Sequence, residues 1–484
     1  MPDPFQNVGK VIPSGKWGPV TLISLVAAMG GLLFGYDWVV ISGAKPFFLP
    51  YFGIHTPNLT GWVMSCALLG ALLGALGGGY AADKLGRKKL LLFSALLFAV
   101  SSVMTGWAGS IAAFAFWRVV GGVAIGVASN LSPLYIAEIA PAAWRGRLVA
   151  VNQLTIVLGI LLADVANWLI ARPIAAGMSS AAIAASWDGQ YGWRWMFTAV
   201  AVPSLVFLLS ALWIPESPRW LAVRGRWEDA HRVLARLRGI ACDAELAAIR
   251  ASLPQSRQRA GLSQLLDKKL IPILAMGVGL AVLQQWCGIN VIFSYAQNVF
   301  SAAGYHVNGV LFNIVIMGAV NLVFTLAAMM FVDRLGRRTL MLIGVAGLTI
   351  IHFTLGWMFH MHLHGPWVVV TIMAAIACYA MTLAPVTWVL ISEIFPNQIR
   401  ATAVSVAVSA LWIADFILTQ TFPLLKAQIG AAGAFWLYAG ICLVGFLFVF
   451  KAVPETKGKS LEELEARFCT LPATDVSDKP AVHS

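Results

Sequence analysis

Long runs of apolar residues, separated by short polar segments, extend along most of the 484-residue chain. Because a helix rises 1.5 Å per residue, about 20 apolar residues suffice to cross the hydrocarbon core of a bilayer. We therefore predict an all-α membrane protein with twelve spanning helices, numbered spans 1 to 12. Their predicted positions are 18–42, 59–81, 89–108, 111–136, 148–171, 194–214, 271–299, 308–331, 339–360, 367–392, 401–423 and 431–451.

A long polar segment, residues 216–269, interrupts this pattern after the sixth span. Within it, Ala230, Val233, Leu234 and Leu237 share one face of a predicted helix, which favours a small helical bundle against the membrane domain. The predicted domains are thus a first six-helix half (1–214), a helical linker domain (215–270), a second half (271–451) and a tail (452–484).

Composition and charge fit this membrane assignment. The chain is 59% hydrophobic and only 11% charged, whereas soluble proteins carry about 25% charged residues. Of its 33 lysines and arginines, 28 fall in the two tails and in the loops after even-numbered spans. The positive-inside rule then predicts a multi-pass protein of the cytoplasmic (inner) membrane with both termini cytoplasmic. The net charge of +12 attracts anionic lipid and requires no nucleic-acid partner.

Three short motifs occur twice, in the same order, at a spacing near 250 residues. Each copy lies at the cytoplasmic end of a predicted span, and such repeats indicate two similar six-helix halves in parallel, with a site where they meet. The paired motifs are Asp83–Lys88 with Asp333–Arg338, Glu138 and Arg145 with Glu393 and Arg400, and Pro215–Ser217 with Pro454–Thr456.

Span 7 carries three uncharged amides, Gln284, Gln285 and Asn290, at a depth where lipid offers them no hydrogen-bond partner. An unpaired buried amide costs several kcal/mol, so these side chains must face protein, water or a ligand. One unbroken helix cannot direct all three to the same point, but Gly288 can interrupt it. Amides both donate and accept, which suits a neutral polyhydroxylated solute. The alternative is that they join neighbouring helices.

Two opposite charges lie inside predicted spans. Asp37 in span 1 and Arg118 in span 4 are each about 10 Å from the outer end of their span, counted at 1.5 Å per residue, so they can pair. An intramembrane carboxylate is a candidate functional group, and protonation of Asp37 would release Arg118. The alternative is a structural ion pair. Asp164 and Asp415 are further intramembrane acids that could assist proton movement or line a wet cavity.

These repeats, the span 7 sequence Gln284–Asn290 and the Pro-Glu-Ser/Thr pair resemble those of the sugar porter family of the major facilitator superfamily. The resemblance covers about residues 18 to 463. It implies alternating-access transport of a monosaccharide, most consistent with a monomer. The sugar contacts that it implies are Gln153, Gln284, Gln285, Asn290 and Asn321, with Trp388 against the sugar ring and Trp412 closing the pocket. Ile160 and Leu411 stand where the family often carries glutamine.

The same resemblance implies proton coupling, because the family's proton symporters carry aspartate where Asp37 stands and its passive facilitators carry asparagine. It also implies a cytoplasmic gate between the halves in the outward-opening state. The gate residues are Asp83, Arg87, Glu138, Arg145, Asp333, Arg337, Glu393 and Arg400. A carboxylate that some members carry on span 6 is absent, since Thr198, Ala199 and Val200 occupy that stretch.

Other classes of protein are less consistent with the sequence. No nucleophile–base pair, phosphate loop or metal-ligand spacing is evident, so we predict no enzyme activity, no cofactor and no metal. The six cysteines are not placed to form an external disulfide. The alternatives to a proton symporter are a passive sugar facilitator of the same fold and a membrane sugar sensor. The sensor is less favoured because only about thirty residues follow Glu455.

Overall fold

The computed structural model describes residues 17–141, 144–174, 178–238, 242–252, 270–395 and 399–457. Within these ranges the chain is almost entirely helical and contains no β-strand. Eleven of its described helices are long and apolar enough to cross a membrane. The last of them has a non-helical residue, Gly430 (φ 70°, ψ 179°), that divides it into spans 11 and 12. The described chain therefore contains the twelve predicted spans.

Each span is longer than, or close to, its predicted range. The observed bounds of the first six spans are Trp17–Tyr51, Pro57–Leu85, Arg87–Gly106, Ile111–Ile139, Arg145–Ile170, and for span 6 Trp193–Thr198 with Ala201–Trp213. Span 7 is divided into Ile271–Trp286, Ile289–Ser294 and Ala296–Ala302. Spans 8 and 9 are Val307–Leu335 and Arg337–His360, span 10 is Pro366–Met381 with Leu383–Glu393, and spans 11 and 12 share Arg400–Ala452.

Span 1 ends nine residues later than predicted. The prediction ended it at residue 42, before Lys45 and Pro46, but the helix includes both and continues to Tyr51. Lys45 is buried, and its Nζ donates a hydrogen bond to Asn298 Oδ1 of span 7. The amide and the face of Tyr295, 4.3 Å from Nζ, are the described partners of this buried amine, so Lys45 does not end the span.

The connecting segment between the halves forms the short helices Pro218–Val223, Trp227–Arg238 and Cys242–Ser252. The apolar face predicted for the second of these is buried at Ala230, Leu234 and Leu237. Three residues, Leu221, Ala222 and Ala230, form a small apolar cluster separate from the core of the membrane domain. The sequence also predicts a linker at 254–259 and a short acidic helix at 461–468, and both stretches lie outside the described residues.

Alternation of the spans places the loops after spans 2, 4, 6, 8 and 10 at one end of the bundle. We call this the basic end, because it carries most of the lysines and arginines, and the opposite end the far end. In the first half, spans 2 and 4 pack backbone to backbone. A Cβ added at Gly70 would lie 2.0 Å from the carbonyl oxygen of Val119, and one at Gly122 would lie 1.9 Å from that of Ala67. Only glycine allows this approach.

Glycines of the second half instead face side chains. A Cβ at Gly277 would lie 2.4 Å from Cζ of Phe395, and one at Gly445 would lie 2.3 Å from Cδ1 of Leu283. The two halves share their order of elements but differ in how closely their helices approach one another.

Candidate functional site

The first part of span 7 ends at Trp286 and the second begins at Ile289. Between them Gly288 takes φ 90°, a left-handed conformation that favours glycine. The break leaves the carbonyl oxygen of Cys287 outside the helical ladder, where it accepts a hydrogen bond from His352 Nε2 at 2.8 Å. The predicted interruption of the helix at Gly288 is thus confirmed.

The break brings the amides of span 7 together. Asn290 Nδ2 donates to Gln285 Oε1 and, at 3.0 Å, to Asp415 Oδ1 on span 11. Gln285 Nε2 in turn lies 3.4 Å from Gln284 Oε1. All four side chains are buried. They form a continuous polar cluster inside the second half, and this cluster offers donors and acceptors for a polar solute. The sequence predicted its three amides but not the inclusion of Asp415.

The two tryptophans predicted to contact the sugar differ in exposure. Trp412 on span 11 is buried, and its ring centroid lies 5.8 Å from that of Phe34 on span 1 of the other half. Its indole Nε1 is buried without a hydrogen-bond partner. Trp388 on span 10 remains about one-third exposed. Trp412 therefore lies where the halves meet and presents an unused donor there.

Gln153 and Asn321 lie on spans 5 and 8, which pack against each other across the halves. Gln153 is half-buried and Asn321 is buried. Gln153, Asn321 and Trp412 thus lie on spans that meet at the interface between the halves, whereas Trp388 lies on span 10, within the second half.

Asp37 and Arg118 form a buried ion pair, as the sequence suggested. Arg118 Nη1 lies 3.0 Å from Asp37 Oδ2 and also donates to the carbonyl oxygen of Asp37 at 3.2 Å. The depth estimate behind the prediction was wrong, because span 1 continues to Tyr51 and Asp37 is 14 residues from its end, whereas Arg118 is seven residues into span 4. The pair forms because span 1 extends beyond span 4 at the far end.

At the basic end, the charged motifs form ion pairs within each half. Arg87 binds Glu138 through two hydrogen bonds of 3.0 Å and binds Asp83 at 3.2 Å. In the second half Arg337 Nη2 lies 3.6 Å from Glu393 Oε1. Arg145 is exposed and takes part in none of the described ion pairs. The side chains of Asp333 and Arg400 lie outside the described part of the structure, and the predicted network between the halves stays a prediction.

Two glutamates to which the sequence analysis gave no role cap the N-termini of helices at the basic end. Glu216 Oε1 accepts hydrogen bonds from the backbone N–H groups of Arg87 and Lys88, at 2.9 and 3.2 Å. Glu455 does the same for Arg337 and Arg338, at 2.9 and 3.2 Å. A carboxylate at a helix N-terminus satisfies unpaired N–H groups and complements the helix dipole. The repeated Pro-Glu motif was the available signal for this role.

Burial alone would raise the pKa of the Glu455 carboxyl, but hydrogen bonds from backbone N–H groups, that of Lys457 foremost, hold the pKa below its usual value. The charged form is therefore the one that caps span 9. Each cap also requires the preceding glycine, since Gly86 and Gly336 have φ of 100° and 89° and a Cβ on either would meet the capping carboxylate.

Described side-chain contacts between the two halves extend from mid-depth to the far end. Besides Lys45 with Asn298, Gln420 of span 11 donates to Asn58 Oδ1 at 3.0 Å and accepts from Ser65 Oγ at 2.9 Å. The sequence analysis did not select Lys45 or Gln420, because a single charge or amide near a span end carries no motif. This arrangement closes the far end.

One set of possible metal ligands lies in the connecting segment. His231 Nε2 is 3.0 Å from Asp243 Oδ1 and 3.5 Å from Cys242 Sγ. Residues 231 and 242 have no recognised metal-ligand spacing, so the sequence gave no indication of the cluster. Hydrogen bonds among the three groups account for their proximity.

Comparisons with known proteins agree with this architecture. A family model described as "Sugar (and other) transporter" matches residues 23–468. The D-xylose-proton symporter of Escherichia coli is 38% identical, over 92% of this chain and 94% of that protein. The arabinose-proton symporter of Bacillus subtilis is also 38% identical, over 94% and 96% of the two chains.

Solved structures of the E. coli xylose transporter resemble this one. Its inward-open conformation gives a TM-score of 0.80 at 36% identity, covering 93% of this chain and 99% of that one. The same transporter bound to 6-bromo-6-deoxy-D-glucose gives 0.74 at 37% identity, with the same coverage. With the family model matching most of its length, this chain belongs to the sugar porter family of the major facilitator superfamily and is a transporter rather than an enzyme.

Proposed function

We propose that this chain carries a monosaccharide, a pentose or hexose, into the cell together with a proton by alternating access. The observation that supports proton coupling is the buried pair of Asp37 and Arg118. Relatives that bear the names D-xylose-, arabinose- and galactose-proton symporter support the same activity. A passive facilitator is less consistent with a buried, ionisable Asp37, and no observation favours a sensor.

The sugar site that we propose is the span 7 amide cluster facing the interface between the halves. Gln284, Gln285 and Asn290 now bond to one another and to Asp415, and sugar hydroxyls can replace some of these bonds because amides and hydroxyls exchange donors and acceptors freely. The remaining contacts would come from Gln153 and Asn321, with apolar faces from Trp388 and Trp412. A sugar hydroxyl would also give the Trp412 indole an acceptor.

Proton movement in this proposal uses the Asp37–Arg118 pair. When the site faces the far side, Asp37 takes a proton and releases Arg118, and the neutral acid tolerates the dry occluded state. When the site faces the basic side, the proton leaves and the ion pair reforms. The ion pairs of Glu138 and Glu393 would rearrange into a network between the halves in the outward-facing state, and such a network biases a two-state equilibrium.

The rest of the assignment follows from charge and topology. We propose the cytoplasmic membrane as the location, with the basic end and both termini cytoplasmic and in contact with anionic lipid. The proposed domains keep the sequence boundaries 1–214, 215–270, 271–451 and 452–484. A monomer contains the whole proposed site.

Asp37→Asn tests the proposal, because it resembles the protonated acid and cannot release a proton. In proteoliposomes the variant should lose sugar-driven proton uptake and accumulation of sugar against a gradient. Exchange of labelled for unlabelled sugar should survive, because exchange needs no return of the empty, deprotonated carrier. A structural ion pair predicts the opposite result: poorer folding, with proton uptake intact in whatever folds. Proton uptake that persists in folded Asp37→Asn would refute Asp37 as the carrier.

A further inference from the structure

Asp164, on span 5 of the first half, is a buried acid to which the proposed mechanism assigns no task. Its side chain is 1% exposed, and both carboxyl oxygens are buried without a hydrogen-bond partner. It takes part in none of the described ion pairs. Asp37, by contrast, has Arg118, and Asp415 has Asn290.

The carboxyl group lies against the backbone of the other half. A Cβ added at Gly318 of span 8 would lie 2.7 Å from Asp164 Oδ2 and 3.2 Å from the Cα of Leu161. From span 1, Tyr36 is the described titratable group that interacts electrostatically with Asp164. In the described part of span 8, the group at this contact is Gly318, which carries no charge. Asp164 is therefore enclosed by the surface along which the two halves meet.

The same surface continues toward the far end. Trp168 of span 5 and Phe312 of span 8 have ring centroids 6.1 Å apart, about one turn beyond Asp164. Opening the far end requires spans 5 and 8 to separate here, which would expose the Asp164 carboxyl to water. Closing it removes that water and supplies no substitute partner.

The ionisation state of Asp164 then determines whether the open or the closed far end is favoured. An ionised carboxylate is strongly disfavoured when it is buried without a partner, and a neutral acid much less so. In water the ionised form is the stable one. Proton binding at Asp164 and closure of the far end are therefore thermodynamically linked, and each favours the other.

We propose that Asp164 is a second proton-binding residue of the transport cycle, one that permits closure of the far end and whose proton is not delivered. This inference rests on the alternating-access function proposed above. A proton from far-side water forms one O–H bond on the carboxylate, the halves close over it, and it returns to far-side water when they reopen. In the closed arrangement both oxygens are enclosed, so this proton has no route to the basic side. Asp37 remains the carrier.

Sugar exchange in an Asp37→Asn background isolates this effect, because Asp37 then no longer titrates. Exchange is measured in oriented vesicles at several far-side pH values with the opposite side held constant. Exchange by Asp37→Asn should fall as far-side pH rises, by up to about tenfold per pH unit. Asp37→Asn with Asp164→Asn should lose this dependence, since a neutral amide permits closure at any pH. Asp188→Asn, the same change at another buried acid of the first half, is the matched control and should keep the dependence.

A conformational measurement avoids reliance on transport. Spin labels on the far ends of spans 5 and 8 should show a separated population that grows with pH in Asp37→Asn and stays constant once Asp164→Asn is added. Gly318→Ala should increase that population at every pH, and Asp164→Ala should restore closure by making room for the new methyl group. An unchanged pH response in the Asp164→Asn variants would overturn the proposal.

The ratio of protons to sugar distinguishes this proposal from two alternatives: that Asp164 is itself a proton carrier, and that the protein is not a proton symporter. With Asp37 intact, Asp164→Asn should keep the wild-type ratio of protons to sugar. A ratio lowered by one proton would overturn the proposal that the Asp164 proton is not delivered, and would make Asp164 a carrier. If the wild-type protein takes up no protons with sugar while Asp164→Asn still abolishes the pH response of closure, the proposed symport fails and the role of Asp164 in closure stands.

Discussion

Nε2 of His352 donates a 2.8 Å hydrogen bond to the carbonyl oxygen of Cys287, the residue that directly follows the first part of span 7. The two residues belong to different spans, and both are fully buried. A helix break inside a membrane leaves a carbonyl that lipid cannot satisfy. Span 9 thus supplies the group that allows span 7 to bend and present its amides.

Replacement of His352 by leucine should therefore destabilise the protein. The Cys287 carbonyl would keep only the thiol of Cys442, a weak donor 3.5 Å away, and an unsatisfied buried carbonyl costs about 1–3 kcal/mol. Thermal unfolding in detergent should show a lower Tm, and sugar affinity should fall because the amides shift. His360→Leu, eight residues later on the same helix but exposed, should have little effect. Equal losses in both variants would contradict the role of His352.

Replacement of Gln285 by alanine should weaken sugar binding. Gln285 accepts a hydrogen bond from Asn290 and lies beside Gln284, so its loss removes a sugar contact and disturbs the cluster. We expect a loss of about 1–3 kcal/mol, since buried hydroxyls of the sugar would be left unpaired. Isothermal calorimetry measures it directly. Gln297→Ala, on the outermost part of span 7, is the control. Unchanged affinity in folded Gln285→Ala would remove this residue from the site.

The sequence was sufficient to predict the spanning helices, the repeat and the polar cluster, because each depends on strong local signals: apolar runs, duplicated motifs, and amides where lipid cannot pair with them. It failed where the outcome depended on contacts between distant residues. Lys45 looked like the end of a span until Asn298 and Tyr295, some 250 residues away, provided its environment. Asp415 became part of the amide cluster only when spans 7 and 11 packed together.

The glutamates of the Pro-Glu motifs show another limit of prediction from the sequence. Their repetition was visible, but their task was not, because a carboxylate caps a helix only if the chain returns to that helix's start. Glu216 lies 129 residues from Arg87, and Glu455 lies 118 residues from Arg337. The order of residues along the chain does not reveal that each glutamate contacts a helix N-terminus so far away in sequence.

Lys45 should help to hold the far end closed. Its ammonium bonds to Asn298 and lies over the ring of Tyr295 on the opposite half. A desolvated cation–π contact is worth about 1–2 kcal/mol, so Lys45→Met should raise the open-to-closed ratio by roughly 5- to 30-fold. Reactivity of a cysteine introduced at the far end reports this ratio. Lys426→Met, on span 11, should instead lower it, because Lys426 repels Lys45 across the closed far end. A decrease in reactivity in Lys45→Met would mean that burying the charge costs more than its contacts return.

Glu455 should make stability depend on pH in the acid range. Because backbone hydrogen bonds lower its pKa in the folded protein, its contribution is complete above the ordinary carboxyl value of 4.5 and is lost as pH falls through the lowered one. Glu455→Gln should have a lower Tm than wild type at pH 7, and the difference should shrink below about pH 4.5. Glu228→Gln, at an exposed position, serves as control. Parallel Tm curves for wild type and Glu455→Gln would contradict this assignment.

The glycine contacts between spans 2 and 4 have a mechanical consequence. Gly70 and Gly122 approach backbone carbonyls, which no side-chain rotation can move aside, whereas Gly277 and Gly445 face side chains that can change rotamer. The first half should therefore be the stiffer body and the second half the more compliant one. Strain produced by an entering solute would then be absorbed mainly in the second half, around the broken span 7. Amide hydrogens in spans 2 and 4 should accordingly exchange with solvent deuterium more slowly than those in spans 8 and 10.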